Sequence, residues 1–427
     1  MKLRNIFSFL LCMAVIFTMT GCNPSRLANT SNTNSSGSFV KSNSNSKAEP
    51  SFGASSTSAG NNLSSSVSNS NTKDTSGSWV QKAPMFTPRY DFGVEEIDGK
   101  IYAVGGYNKS GYLSSTEVYD PKSDKWTKLK PMSVPRSGVE TVVLDGKIYA
   151  VGGSTSSKTA PNGTVDTGAA ERYDPASDSW VTLKSMNTVR DYHRLVAING
   201  KIFAIGGAAE SSVQATVEAY DPVSNTWMEK APMSVPRMHF GMEIIGGKVY
   251  VIGGAGPDST TDDTLATVEM YDPVKNRWVK KGSMKIPRFS FQTAVIDGKI
   301  YAIGGLNFKS GELSSVEEYD PVTDKWATKS LMNTPRSNFQ TAVMKGKIYA
   351  IGGWKKVGDY SSESYLSSVE EYDPKSDTWT EGSSIFPARW WFRTNLVGGK
   401  LYAIGGAVGP YATEPGTASV EEYTMAE

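Results

Sequence analysis

Cysteine is almost absent from this 427-residue chain, which has two, Cys12 and Cys22, both at the front. Everything after them lacks disulfide staples, thiolate nucleophiles and Cys-ligated metals, so its stability must come from packing. Histidine is equally scarce: His193 and His239 are the whole complement. Positive charge is not in excess either. Residues 1–77 carry six Lys or Arg and two Asp or Glu, which leaves 38 basic against 41 acidic residues and no basic face for nucleic acid. No G-x-G-x-x-G run is present, and no helix is evident to offer its amino terminus to a phosphate.

What the chain does have is repetition. "GKIYAVGG" at 146–153 returns as "GKIFAIGG", "GKVYVIGG" and "GKIYAIGG", and the phrase occurs seven times, with Gly pairs beginning at Gly105, Gly152, Gly206, Gly253, Gly304, Gly352 and Gly405. An Arg stands sixteen residues before each pair: Arg89, Arg136, Arg190, Arg237, Arg288, Arg336 and Arg389. A Trp stands ten before each Arg, from Trp79 to Trp379, and six of the seven repeat Tyr stand seven before a Trp. Only the interval from Gly pair to Tyr varies, between 14 and 21 residues.

The constant parts read as strands, because β-branched and aromatic residues fill short runs bounded by turn chemistry. The second repeat supplies "GVETVVL", "KIYAVGG", "AAERYDP" and "SWVTLKSM"; Asp145-Gly146 marks a tight hairpin, and "DPASD" lets Asp174 and Asp178 accept backbone hydrogen bonds. Four antiparallel strands in about 50 residues make a propeller blade. Gly pair, Glu-x-Tyr-Asp-Pro, Trp, Met and Pro-Arg together resemble the kelch motif across residues 79–423. The resemblance implies an all-β, seven-bladed propeller. The last copy ends at "SVEEYTMAE" without a Trp strand and the first begins with an orphan one, so Trp79–Met85 is expected to close the ring on the C-terminal blade.

The front end reads differently. Lys2 and Arg4 precede a short apolar run, Ile6 to Phe17, with the plan of a secretory signal. "MTGC" resembles a bacterial lipobox, which implies acylation at Cys22 and a lipid anchor holding the mature protein outside the cytoplasm. Residues 23–77 are rich in Ser, Asn, Thr and Gly and cannot bury enough surface to order themselves. As a 55-residue coil this tether spans about 40 Å. The expected organisation is a signal peptide over 1–22, a disordered linker over 23–77 and a monomeric propeller over 78–427.

Groups present in every repeat are expected to serve every repeat. Glu117, Glu171, Glu218, Glu269, Glu317, Glu370 and Glu421 stand two before each Tyr and match the seven Arg, which suggests partly buried ion links that fix strand register. The Gly pairs are expected to bend the backbone and permit close packing at a strand end. Insertions in repeats gather on one face, often the binding face. Here they follow the Gly pairs, and in kelch propellers such loops ring one mouth of the channel together with the residues after Pro-Arg.

Those residues differ from blade to blade: Tyr90 and Asp91 in the first, Asp191, Tyr192, His193 and Arg194 in the third, Met238 and His239 in the fourth, and Trp390, Trp391 and Arg393 in the seventh, with Tyr107 and Trp354 directly after Gly pairs. Aromatic planes with a few charged groups suit a sugar ring or a peptide. Trp390 and Trp391, being adjacent, cannot both face the same way. His193 takes the position that Phe holds in five other blades, so no metal shared with His239 is expected. The acidic stretch Asp258 to Asp263 lacks a calcium spacing. No cofactor is implied, and galactose-oxidase chemistry, which needs a Cys crosslinked to Tyr, is not expected.

The leading expectation is a membrane-tethered, non-catalytic module that binds a carbohydrate or protein ligand at the mouth. The rival from another class resembles bacterial kelch sugar isomerases such as N-acetylneuraminate epimerase. It would use a carboxylate among Glu95, Glu140 and Glu243 for proton transfer and Arg194 or Arg393 to hold an acidic sugar. A structural surface protein without a small-molecule site is the third reading.

Overall fold

The computed structural model describes residues 77–160, 163–209, 212–257, 263–356, 363–409 and 416–425. The expectations for the signal segment, Cys22 and the linker fall outside them, as does most of the Asp258–Asp263 stretch. The described chain forms seven four-stranded antiparallel sheets. Blade two is typical, with strands Glu140–Leu144, Lys147–Val151, Ala170–Asp174 and Ser179–Thr182 in that order from the inside outward. Asp145 and Gly146 join the first two with φ of 51° and 67°, the left-handed pair that a two-residue hairpin needs.

Ring closure is as the sequence implies. Ser78–Gln81 is the outermost strand of the last blade, antiparallel to Val420–Thr424, with Trp79 opposite Tyr423 and their rings 5.1 Å apart. The same Tyr–Trp contact recurs in the other blades, for example Tyr119 with Trp126 at 5.2 Å. In six blades the Tyr hydroxyl donates to the Asp or Asn five residues on, as Tyr173 does to Asp178 at 2.9 Å, and that side chain also accepts a backbone N–H of the preceding blade, as from Lys130 N at 3.0 Å. The repeat Trp Nε1 reaches back likewise, Trp227 donating to Lys184 O at 2.8 Å. One short motif therefore builds both the blade and its seam.

The seven repeat Arg are fully buried, more so than the sequence suggests, and each meets its Glu: Arg89–Glu117 at 2.6 Å and Arg237–Glu269 at 2.8 Å are representative. Nη1 of Arg237 also donates to Gly253 O and Thr267 O, and the Glu269 carboxylate accepts the backbone N–H of Ser234. The terminal guanidinium nitrogens and the carboxylate thus have partners, the condition under which a buried ion pair holds, although Nε of Arg136, Arg288, Arg336 and Arg389 has none. The Gly pairs form the seam. Gly106 N donates to Arg136 O, and the ring closes with Gly406 N to Arg89 O at 2.9 Å. Gly206 at φ 60° would bring a Cβ within 2.7 Å of Arg237 O, so only glycine allows the next blade this near.

Candidate functional site

The innermost strands, such as Gly93–Ile97, Arg194–Ile198, Gly241–Ile245 and Arg393–Val397, surround the axis. At one end of them the residue after each repeat Arg pairs with the residue after a Gly pair: Tyr90 with Tyr107, Asp191 with Ala208, Ser337 with Trp354, Trp390 with Ala407. This brings the variable loops and the post-Arg residues to one mouth. Five of the loops form small two-stranded hairpins of their own, Tyr107–Asn108 with Gly111–Tyr112 among them. These hairpins escaped the sequence reading because two- and three-residue strands have no periodicity to detect.

The next position is the most informative. Asp91, Gly138, Tyr192, His239, Ser290, Asn338 and Trp391 all have φ between 49° and 60°. Their backbones hydrogen-bond around the axis: Asp91 N donates to Trp391 O, Gly138 N to Asp91 O, and Ser290 N to His239 O. Left-handed backbone suits Gly, Asn and Asp and costs a bulky residue roughly 1 kcal/mol. Three blades nevertheless place Tyr, His or Trp there. Tyr192 and His239 rings lie 4.3 Å apart, and Trp391 stacks on Tyr90 at 6.0 Å and donates Nε1 to Asn338 Oδ1 at 3.3 Å.

Beneath this aromatic ring lies a charged layer. Arg393 Nε donates to Phe92 O at 2.7 Å, and Arg194 Nη1 stands 3.5 Å from a Glu140 oxygen. Burial pushes Glu95 up to about 7, aided by the nearby Glu140 and opposed by Thr141, which hydrogen-bonds it, and by Arg393. Burial likewise raises Asp91, against the pull of Arg393. Asp191 is held well above the carboxylate range by burial and by Asp91 and Asp166. Geometry agrees, because the single Ser154 hydroxyl lies between Asp191 Oδ2 at 2.7 Å and Asp166 Oδ1 at 2.9 Å, so two ionised carboxylates would share one proton.

Not every candidate residue reaches the mouth. His193 is 1% exposed and packs inside the propeller, with neither ring nitrogen hydrogen-bonded and burial holding its pKa well below the usual value. Met238 is buried in an apolar cluster with Ala208, Val213, Ala255 and Phe289. Tyr90 and Trp390 are buried too, leaving Trp391 as the half-exposed member of its pair. Asp91, Tyr107, Tyr192, Arg194, His239, Trp354, Trp391 and Arg393 remain partly accessible. The sequence reading passed over Thr141, Thr293, Asn338, Ser154 and Asp166, since a lone Thr or Ser on a strand carries no distinguishing pattern. Among the described residues no three His, Cys, Asp or Glu side chains are grouped to hold a metal ion.

Blades, seam and loop-bearing mouth define a seven-bladed β-propeller of the kelch type. Residues 192–406 match the KLHDC2/KLHL20/DRC7 Kelch-repeats domain and residues 88–133 and 135–187 match the Kelch motif, so the chain belongs to the kelch-repeat family. Among curated relatives, Influenza virus NS1A-binding protein homolog B of Danio rerio is 46% identical over 52 residues, 12% of this chain and 8% of that protein. Kelch-like protein 28 of Homo sapiens is 36% identical over 144 residues, 33% of this chain and 17% of that protein. The chain thus matches only a small part of these relatives. The solved structure of YjhT superposes with a TM-score of 0.54 at 16% identity, over 70% of this chain and 99% of that one. A novel fungal alcohol oxidase of the AA5 family, in complex with copper, gives 0.66 at 18% identity, over 82% of this chain and 76% of that one. At such identity both likenesses concern the fold.

Proposed function

We propose that this protein is an exported, lipid-anchored receptor whose propeller mouth binds a carbohydrate. The observation that supports it most is the placing of Tyr192, His239 and Trp391 at strained left-handed positions around the axis, where Gly, Asn, Ser or Asp serve in the other blades. Such strain concentrates where function requires it. Aromatic faces above carboxylates and guanidinia match the alternating apolar faces and hydroxyl edges of a sugar. The lipobox-like "MTGC" at Cys22 supports the anchor. A thermal-shift screen against mono- and oligosaccharides tests the reading. A ligand at a hundred times its dissociation constant adds about 2.7 kcal/mol. Tyr192→Asn with Trp391→Asn, which keeps residues suited to that backbone, is expected to abolish the shift while leaving the unliganded melting temperature within a few degrees. An undiminished shift would place the site elsewhere. Silence across the sugars would favour a protein ligand, for which the binding named in the NS1A-binding relatives is the precedent.

One observation favours a second reading as a sugar isomerase: Glu95, held near 7 beside Arg393, has the pKa that neutral proton transfer needs. Interconversion of a bound sugar, followed by NMR and lost in Glu95→Gln, would establish it.

A further inference from the structure

The first positions of the innermost strands contain one pattern twice. In blade order, Arg393, Gly93 and Glu140 stand in blades seven, one and two, and Arg194, Gly241 and Gln292 stand in blades three, four and five. The correspondence extends to contacts. Arg393 Nε donates to Phe92 O, the residue before Gly93, and Arg194 Nε faces Phe240 O, the residue before Gly241, at 3.5 Å. A Cβ on Gly93 would collide with Thr141 of the next blade, and one on Gly241 with Thr293 of the next. Each glycine therefore makes room for a Thr, and each Thr hydrogen-bonds the Glu two residues past the glycine, Thr141 to Glu95 and Thr293 to Glu243.

The Arg groups of these constellations are unlike the seven repeat Arg. Arg393 forms no ion pair with a described carboxylate, and Arg194 has only the 3.5 Å approach to Glu140. Their guanidinium groups are partly exposed and offer a ligand carboxylate charge-assisted hydrogen bonds.

We propose that the mouth carries two matched half-sites for carboxylate groups, one from Arg393, Glu95 and Thr141 and one from Arg194, Glu243 and Thr293, and that its ligand is an acidic saccharide presenting more than one carboxylate. This deepens the carbohydrate reading and rests on it. The guanidinium donates directly, and the Thr hydroxyl does so when its Glu partner is protonated. Burial raises Glu95, to about 7, and Glu243 as well; a protonated Glu donates to its Thr, which frees the Thr hydroxyl proton for the ligand and removes the carboxylate charge that would repel it. Glu140 and Arg393 face Glu95, and Arg194 faces Glu243; His239, beside Arg194, is pushed down to about 3 and stays neutral. Affinity should fall as pH rises through 7 and Glu95 ionises.

Acetate is the minimal probe. The melting temperature of the purified protein at pH 6 is measured in acetate against chloride at equal ionic strength. Galacturonate and galactose, which differ at the carboxylate, are compared next. Acetate is expected to stabilise the wild type, with the shift roughly halved in Arg393→Gln or Arg194→Gln and absent in the double variant. Thr141→Val with Thr293→Val repeats the test without touching charge, should the Arg changes impair folding. Glu95→Gln should retain the shift at pH 8, where the wild type loses part of it. Galacturonate should exceed galactose. An acetate effect equal to that of chloride, or one that survives both double variants, overturns the proposal. Galactose binding without an acetate effect would leave the receptor reading standing and this one refuted; no effect of any sugar would refute both.

Discussion

His193→Phe should make the protein more stable, because the wild-type residue is a neutral imidazole buried at 1% exposure with neither nitrogen hydrogen-bonded. An unsatisfied buried polar group costs about 1–3 kcal/mol. Phe occupies the same position in five blades, and its Cε1 meets the preceding blade's glycine there as His193 Cε1 meets Gly152. The larger ring thus has a tested seat. Allowing for imperfect fit, the gain is about 2 kcal/mol at pH 7. With an unfolding entropy of about 2.1 cal/mol/K for each of roughly 350 residues, the melting temperature rises by about 3 °C. The gain also depends on pH. Burial, with Arg190, Arg194 and Arg136 nearby, depresses the folded pKa. The unfolded imidazole still titrates near 6.5, so stability is intact above that pH and lost as pH falls, by about 2 kcal/mol at pH 5. Calorimetry of both proteins from pH 8 to pH 5 should show the two melting temperatures diverging on acidification. A less stable variant, or a constant difference across pH, would show that the imidazole is satisfied in the native state.

Ring closure and the buried ion pairs give two further expectations. A chain beginning at Thr87 loses the strand Ser78–Gln81 and its Trp79 contact with Tyr423, and is expected to melt at least about 5 °C below one beginning at Ser76, since losing a packed Trp alone costs about 3 kcal/mol; equal melting would mean the last blade closes without it. Glu269→Ala leaves the fully buried Arg237 unpaired and should cost about 3–5 kcal/mol by denaturant unfolding, whereas Glu269→Leu with Arg237→Met should cost less; a double variant as unstable as the single would show that the pair adds net stability of its own.

The repeat by itself determines the architecture. Trp, Arg, Gly pair, Glu and Tyr recur at fixed spacing because each residue serves a local contact and a seam contact that every blade must make, so seven copies prescribe seven blades, and an orphan Trp strand prescribes the closure. Sequence spacing also indicated which end of the ring would be variable, since variation follows the Gly pairs and the Arg, and these positions pair with each other. What spacing could not convey is which side chains at that end turn inward. His193, Met238, Tyr90 and Trp390 have the composition of a binding surface, yet strand alternation and packing against neighbouring blades bury them. Thr141 and Thr293 look ordinary along the chain and gain meaning only because Gly93 and Gly241, one blade away, leave them space. The left-handed ring that holds Tyr192, His239 and Trp391 is likewise set by hydrogen bonds between blades. Local chemistry repeats along a sequence, whereas a site at the axis is assembled from residues about 50 positions apart or more, and only the closed ring brings them together.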